Sequence, residues 1–78
     1  MFKVYPNPSE GVLNIDMLNH SKSEVAVEIY NMYGAKVSTT KIRNKENTID
    51  LSNQINGVYF VQFRDEKINS VKKIILQH

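Results

Sequence analysis

The side chains that could do chemistry are few, and none has a partner at a useful spacing. No serine lies in a nucleophile-elbow context such as Gly-x-Ser-x-Gly. His20 and His78 are far apart in the chain, and without cysteine they do not form a zinc-ligand pattern. Asp65-Glu66 lacks the alternating oxygen ligands and the glycine of a calcium loop. We therefore expect no enzyme activity, no metal and no cofactor.

Length and composition favour one small soluble domain. The chain has 78 residues, of which 41% are hydrophobic and 23% charged, with a net charge of +2. Lysines and carboxylates are interspersed along the chain, so the charge is too balanced to predict nucleic-acid binding, which needs clustered positive charge. No apolar run approaches the roughly 18 residues of a membrane span, so we expect no direct membrane insertion.

The elements that position these side chains are predicted to be strands. Hydrophobic residues recur with a period of two, and turn signals punctuate the chain, as in small all-β sandwiches. The sequence predicts a seven-stranded immunoglobulin-like antiparallel β-sandwich. The predicted strands are Phe2–Tyr5, Val12–Leu18, Ser23–Tyr30, Ala35–Ile42, Asn47–Leu51, Gly57–Arg64 and Ile68–Leu76.

Three strands have a predicted place in the sheets. Ala35–Ile42 contains Ser38-Thr39-Thr40 and suits a solvated edge. Gly57–Arg64 is apolar on both faces and is expected to be central, with Tyr59 forming a tyrosine corner at the crossover between the sheets. In the last strand Lys72-Lys73 interrupts the alternation, which predicts either a bulge or an end strand with one face open to a partner.

Turn residues separate these strands. Pro6 and Pro8 lack an N–H and should end the first strand. Gly11 and Gly34 are expected at positive φ, the latter in the hairpin loop that starts at Asn31. Residues 19–22 are predicted to form a loop, and 65–67 a tight turn.

Four blocks of the chain, in order, resemble the C-terminal sorting domain of the type IX secretion system of Bacteroidetes, also called the Por secretion system. The resemblance covers nearly the whole chain, and the ordered set is far more specific than any single block. In sequence order the blocks are Val4 to Gly11, with Tyr5-Pro6-Asn7-Pro8 at its centre; Ile29 to Val37, with Gly34; Asn47 to Ser52 followed by Gly57-Val58-Tyr59-Phe60-Val61; and Lys72-Lys73-Ile74-Ile75.

The resemblance implies that residues 1–78 are one sorting domain, a fragment of a larger secreted protein. The parent would pass through the periplasm and reach the outer-membrane surface or the medium. Its partners would be an outer-membrane translocon and a sortase-like peptidase that removes the domain. The recognition residues implied by the family motif are Tyr5, Pro6, Asn7, Pro8, Gly34, Gly57, Tyr59, Lys72, Lys73, Ile74 and Ile75.

Other interpretations stay open on the sequence alone. Tyr5-Pro6-Asn7-Pro8 is either a recognition element or a strand terminator. Lys72-Lys73 with the apolar residues after them is either a docking strand or an edge guarded by lysines. A carbohydrate-binding or structural immunoglobulin-like module is the alternative function, with Tyr5, Tyr30, Tyr33 and Tyr59 as a sugar platform. An unpaired last strand could also support a homodimer.

Overall fold

The computed structural model describes residues 2–18 and 24–78 as seven β-strands in two antiparallel sheets. The strands are β1 (Phe2–Tyr5), β2 (Val12–Met17), β3 (Val25–Asn31), β4 (Lys36–Ile42), β5 (Glu46–Asp50), β6 (Gly57–Arg64) and β7 (Asn69–Leu76). They confirm the predicted strands, and the ends that can be compared agree or differ by one residue. The predicted loop at 19–22 and the predicted strand start at Ser23 lie outside the described residues. No helix of the described ranges is long and apolar enough to cross a membrane.

The two sheets have the orders β1-β2-β5 and β4-β3-β6-β7. The chain crosses between them after β2, β4 and β5, so neither sheet is a simple meander. The order is compatible with an immunoglobulin-like sandwich, but the fourth strand pairs with the third instead of joining the first sheet as in constant-type domains. The predicted all-β sandwich is confirmed, with β4 at an edge and β6 in the interior of its sheet.

The core lies between the sheets, because each strand turns its apolar face inward. Alternation along β2, β3 and β6 places every second side chain there, as the sequence predicts. Phe2 of β1 stacks on Phe63 of β6, with ring centroids 4.2 Å apart, and so joins the two sheets. The buried hydrophobic residues are Phe2, Leu13, Ile15, Met17, Val25, Val27, Ile29, Ile42, Ile49, Leu51, Tyr59, Val61, Phe63, Ile74 and Leu76.

Local hydrogen bonds explain the turns. In the β3–β4 hairpin Asn31 Oδ1 accepts from the N–H groups of Tyr33 (2.9 Å) and Ala35 (3.0 Å), and Gly34 adopts a φ of 85°. Asp65 Oδ1 accepts from the N–H groups of Lys67 (2.8 Å) and Ile68 (2.7 Å) in the β6–β7 turn. Side-chain acceptors at both turns thus fix the two hairpins.

Gly11 is required at its position for two reasons. Its φ is 136°, which side chains other than glycine rarely adopt, and an added Cβ would lie 3.1 Å from Cα and Cβ of Ser52. Its carbonyl also accepts from the N–H of Leu51 at 2.7 Å. The predicted positive φ at Gly11 is confirmed, and the close approach ties the start of β2 to the end of β5.

The predicted tyrosine corner is present. Tyr59 is 2% exposed, and its hydroxyl donates a 2.6 Å hydrogen bond to the carbonyl of Ile55 in the crossover from β5 to β6. We expect Tyr59→Phe to lower the free energy of unfolding by about 1 kcal/mol, because the carbonyl loses its partner while the ring stays packed. Urea unfolding measures the loss.

Tyr33→Phe is the matched control, since that ring is 86% exposed and its hydroxyl has no hydrogen-bond partner in residues 2–18 and 24–78. Its urea midpoint should match that of the unmodified domain. Equal unfolding curves for both variants would contradict a stabilising corner.

Candidate recognition surface at the last strand

The last strand, β7, pairs on one side only with another strand. Its register with β6 runs without interruption from Gly57↔Leu76 to Arg64↔Asn69. The predicted bulge near Lys72-Lys73 is therefore wrong, and the alternative of an end strand is confirmed. The alternation of polar and apolar residues is interrupted in the sequence because an apolar residue, Ile75, points out of the sandwich. Ile75 is 39% exposed, while Ile74 and Leu76 on either side of it are buried. A register shift does occur in the domain, between Ile29 and Tyr30 opposite β4.

The Tyr5-Pro6-Asn7-Pro8 segment lies against the outer edge of β7. Asn7 Oδ1 accepts from the N–H of Ile75 at 3.0 Å, and Asn7 Nδ2 donates to the carbonyl of Lys73 at 3.3 Å. The Asn7 carboxamide therefore occupies two edge groups that a neighbouring strand would otherwise use. Both bonds that precede the prolines, Tyr5-Pro6 and Asn7-Pro8, are cis peptides.

Ser9 continues this contact with its backbone. Its N–H donates to the carbonyl of Ile75 and its carbonyl accepts from the N–H of Gln77, both at 2.8 Å, which forms a short parallel bridge. The Ser9 side chain is fully buried, where its hydroxyl donates to the carbonyl of Val12 (3.0 Å) and accepts from the N–H of Gly11 (3.1 Å). We call Asn7 and Ser9 together the clasp.

The clasp leaves part of the β7 edge open. In an antiparallel pair alternate residues direct both backbone groups to the same side. The N–H and carbonyl of Ile75 point away from β6 toward the clasp. By the same alternation, the backbone groups of Lys73, Val71 and Asn69 also point away from β6. Within residues 2–18 and 24–78 the groups of Val71 and Asn69, and the N–H of Lys73, have no hydrogen-bond partner. We call Asn69 to Lys73 the open edge.

Electrostatics distinguish the open edge from the rest of its sheet. On the outer face Glu28 pairs with Lys36 (2.9 Å) and with Arg64, and Glu24 pairs with Arg43 (2.7 Å). Lys72 and Lys73 are exposed, and within the described part of the chain neither has a carboxylate oxygen within 4.0 Å of its ammonium group. The open edge therefore has unmatched positive charge.

The remaining motif residues lie elsewhere. Gly34 is at the tip of the β3–β4 hairpin, and Gly57 begins β6 with a φ of 152°. Tyr5 is on β1, where its hydroxyl donates to Asp16 Oδ1 at 3.3 Å, and partial burial and that hydrogen bond raise the pKa of Tyr5. The structure thus brings together the first and the last motif blocks, Asn7 with Lys73 and Ile75, while Gly34 acts in its own turn.

The four tyrosines do not form one surface. Tyr5 belongs to the three-stranded sheet, Tyr30 to the four-stranded sheet, and Tyr59 is in the core. Tyr33 is 86% exposed at the hairpin tip, so it does not cover a sheet edge. The sugar platform considered from the sequence is not assembled. No group of three His, Asp or Glu side chains in the described ranges could hold a metal ion.

Comparison with known families agrees with the arrangement of the motifs. Residues 3–77 match the family described as the secretion system C-terminal sorting domain. The chain belongs to this family. Domains of this family are C-terminal sorting signals for type IX secretion, and sorting is the function of this chain. Membership of the family implies that the chain interacts with the secretion system. It also implies export across the outer membrane to the cell surface or the medium. No curated protein matches the chain.

The role of the clasp in the sorting domain can be measured by replacing Asn7. We expect Asn7→Ala to lower the free energy of unfolding by about 1–2 kcal/mol, because two exposed hydrogen bonds to β7 are lost. Backbone amide exchange at Ile75 should accelerate at the same time. Asn53→Ala is the control, since Asn53 is exposed and its side chain has no hydrogen-bond partner among the described residues. Unchanged exchange at Ile75 would contradict the clasp.

Glu28 gives the sorting domain a defined pH dependence. The hydrogen bond from Lys36, together with Arg64, holds the pKa of Glu28 below its usual 4.5, while burial opposes this. Because the folded pKa is lowered, the stabilisation is present above about pH 4.5 and is lost as pH falls through the folded pKa. Glu28→Gln should therefore reduce the loss of stability on acidification, measured by urea unfolding between neutral pH and pH values below 4.5.

Glu66→Gln is the control for this titration, since Glu66 is exposed and forms no ion pair within residues 2–18 and 24–78. Its acid unfolding should follow that of the unmodified domain. The ion pairs of Glu28 would be irrelevant to stability if both variants lost the same amount on acidification.

Proposed function

We propose that the sorting domain docks on the outer-membrane translocon of the type IX system through β7, while the parent protein is in the periplasm. A sortase-like peptidase then removes the domain at a site upstream of it, and the parent is anchored to the surface or released. Membership of the family supports the interaction with the secretion system. The domain itself acts by being recognised and performs no chemistry.

The observation that supports docking through β7 is the open edge. Both backbone groups of Asn69 and Val71 and the N–H of Lys73 point away from β6 in a row, with no hydrogen-bond partner within residues 2–18 and 24–78, which is the arrangement that an added strand pairs with. The other side of the same strand is held along its whole length by the ladder to β6, and the strand is anchored beyond the open edge by the burial of Ile74 and Leu76 in the core. A partner would therefore meet a rigid, preformed edge, and little conformational entropy would be lost from the domain on binding.

The second exposed edge of the sheet offers a comparison. β4 is also an edge strand, but its outward-facing positions include Thr39 and Lys41, and Lys41 lies 4.0 Å from a carboxylate oxygen of Glu24. β4 lies at the opposite edge of the sheet from β7 and the clasp, and it contains no residue of the Lys72-Lys73-Ile74-Ile75 block. We propose that the translocon binds the β7 edge and not the β4 edge.

The test is export of a fluorescent cargo in a Bacteroidetes host. The cargo follows a signal peptide and precedes residues 1–78, with fluorescence measured at the surface, in the medium and in the periplasm. The unmodified domain should deliver cargo outside only when the secretion system is intact. Deleting residues 72–78 is expected to trap the parent in the periplasm, but it also removes Ile74 and Leu76 from the core, so a point variant is needed.

Val71→Pro provides that variant. The N–H of Val71 faces outward, so proline removes a donor that a partner strand would use without breaking the ladder to β6. Export should fall to the level of a host without the secretion system. Thr39→Pro removes an outward-facing N–H on the β4 edge and should export normally. Thermal unfolding of both purified variants checks that they fold, and normal export by folded Val71→Pro would overturn docking through β7.

A further inference from the structure

The clasp limits how a partner strand can align on β7. It occupies the carbonyl of Lys73, both backbone groups of Ile75 and the N–H of Gln77. A strand that extends along the edge toward the end of the chain therefore meets Asn7 directly after Lys73. The added strand can pair only with Asn69 to Lys73, about five residues, and this fixes its register against named side chains.

The side chains of the open edge alternate between its two faces. Lys73 and Val71 share the outer face, opposite Phe60 and Gln62 of β6, while Lys72 points to the other face. Val71 is 56% exposed and Phe60 is 37% exposed, so the outer face offers apolar area beside a cation. Directly paired side chains on neighbouring strands interact most strongly, and opposite charges stabilise while like charges destabilise.

The unmatched lysines therefore select the partner. A basic strand in this register would place like charges opposite Lys72 and Lys73, and a neutral strand would leave both unpaired. A second copy of β7 is a poor occupant, because antiparallel pairing of two open edges would bring four lysines into one ladder. Lysines on an edge strand disfavour pairing with most other strands. A strand that carries carboxylates can still pair, because its charges are opposite to those of the lysines.

We infer that the strand which adds to β7 is acidic and short, with carboxylates opposite Lys73 and Lys72 and an apolar side chain opposite Val71. In antiparallel orientation, the more stable of the two pairings, its sequence from the amino end is acidic, acidic, apolar. The strand begins opposite Lys73, where the clasp stops it. This inference rests on the proposed docking through β7 and adds the chemistry of the partner.

Binding can be tested with the isolated 78-residue chain and synthetic peptides. The probe is a nine-residue, N-acetylated peptide that begins with Glu-Glu-Val and continues with threonine and valine, and two further peptides replace the glutamates with glutamine or lysine. Amide chemical shifts of the ¹⁵N-labelled domain should change at Asn69, Val71 and Lys73 with the glutamate peptide. We expect the glutamine peptide to bind about tenfold more weakly, since two exposed charge pairs are lost.

Salt gives an independent readout, because raising ionic strength from about 0.01 M to about 1 M shortens the Debye length from about 30 Å to about 3 Å. Affinity for the glutamate peptide should fall over this range, and affinity for the glutamine peptide should change little. Equal binding of all three peptides, or shifts confined to β4, would falsify the inference. Concentration-dependent dimerisation through β7 without peptide binding would assign the edge to a second copy instead.

Charge reversal tests the same point on the protein. The double variant Lys72→Glu with Lys73→Glu should prefer the lysine peptide over the glutamate peptide and should lose cargo export. Lys41→Glu with Lys45→Glu changes the net charge equally at exposed positions, one on the opposite edge of the sheet and one in the β4–β5 turn, and should retain both properties. Normal export by the β7 charge reversal, with export blocked by Val71→Pro, would overturn the acidic partner alone. Normal export by Val71→Pro would overturn docking through β7 as well.

Discussion

Four hydrogen bonds, three from the clasp to β7 and one to Gln77 just after it, connect the beginning of the domain to its end. They matter because β7 contributes Ile74 and Leu76 to the core and yet has a strand neighbour on one side only. Without the clasp, the outer groups of Ile75 would depend on water, and the segment after β1 would have no fixed course to β2. Buried Ser9, held by Val12 and Gly11, transmits this constraint to the other sheet.

The clasp also gives a physical meaning to a motif that resembles a turn signal. Prolines at 6 and 8 end β1 and remove two N–H groups, so the segment cannot join a ladder through its own backbone there. Asn7 supplies a donor and an acceptor from its side chain instead. The motif thus ends one strand and occupies part of the edge of another, as the strand-terminator interpretation predicts.

Much of the fold follows from local rules. Strict alternation in β2 and β3 fixes their inner faces, and the glycines and the Asn31 and Asp65 side chains fix the turns. Of the two alternatives at Lys72-Lys73, the bulge is wrong for a clear reason: three consecutive apolar residues suggest a bulge when each is assumed to be buried, but Ile75 is on the outer face and 39% exposed. Burial depends on which strands become neighbours, and alternation within one strand does not contain that information.

The candidate surface was predictable only in part. The lysine pair and the edge position of β7 are visible in the sequence, but the contact of Asn7 with β7 joins residues 66 and 68 positions apart. No spacing rule or propensity reports such a contact. The one available signal was that the family motif has blocks at both ends of the chain. Two such blocks can belong to one motif because they contact each other in the fold.

The position of β7 in the chain has a consequence for biosynthesis. β7 is the last of the seven strands to be synthesised, and it supplies two core side chains, Ile74 and Leu76, together with the surface that the clasp binds. A nascent chain that stops before β7 leaves part of the core and the groups of Asn7 and Ser9 exposed to water. The fold closes only after the whole domain has been translated, so a partner that recognises the finished edge of β7 discriminates complete domains from truncated ones.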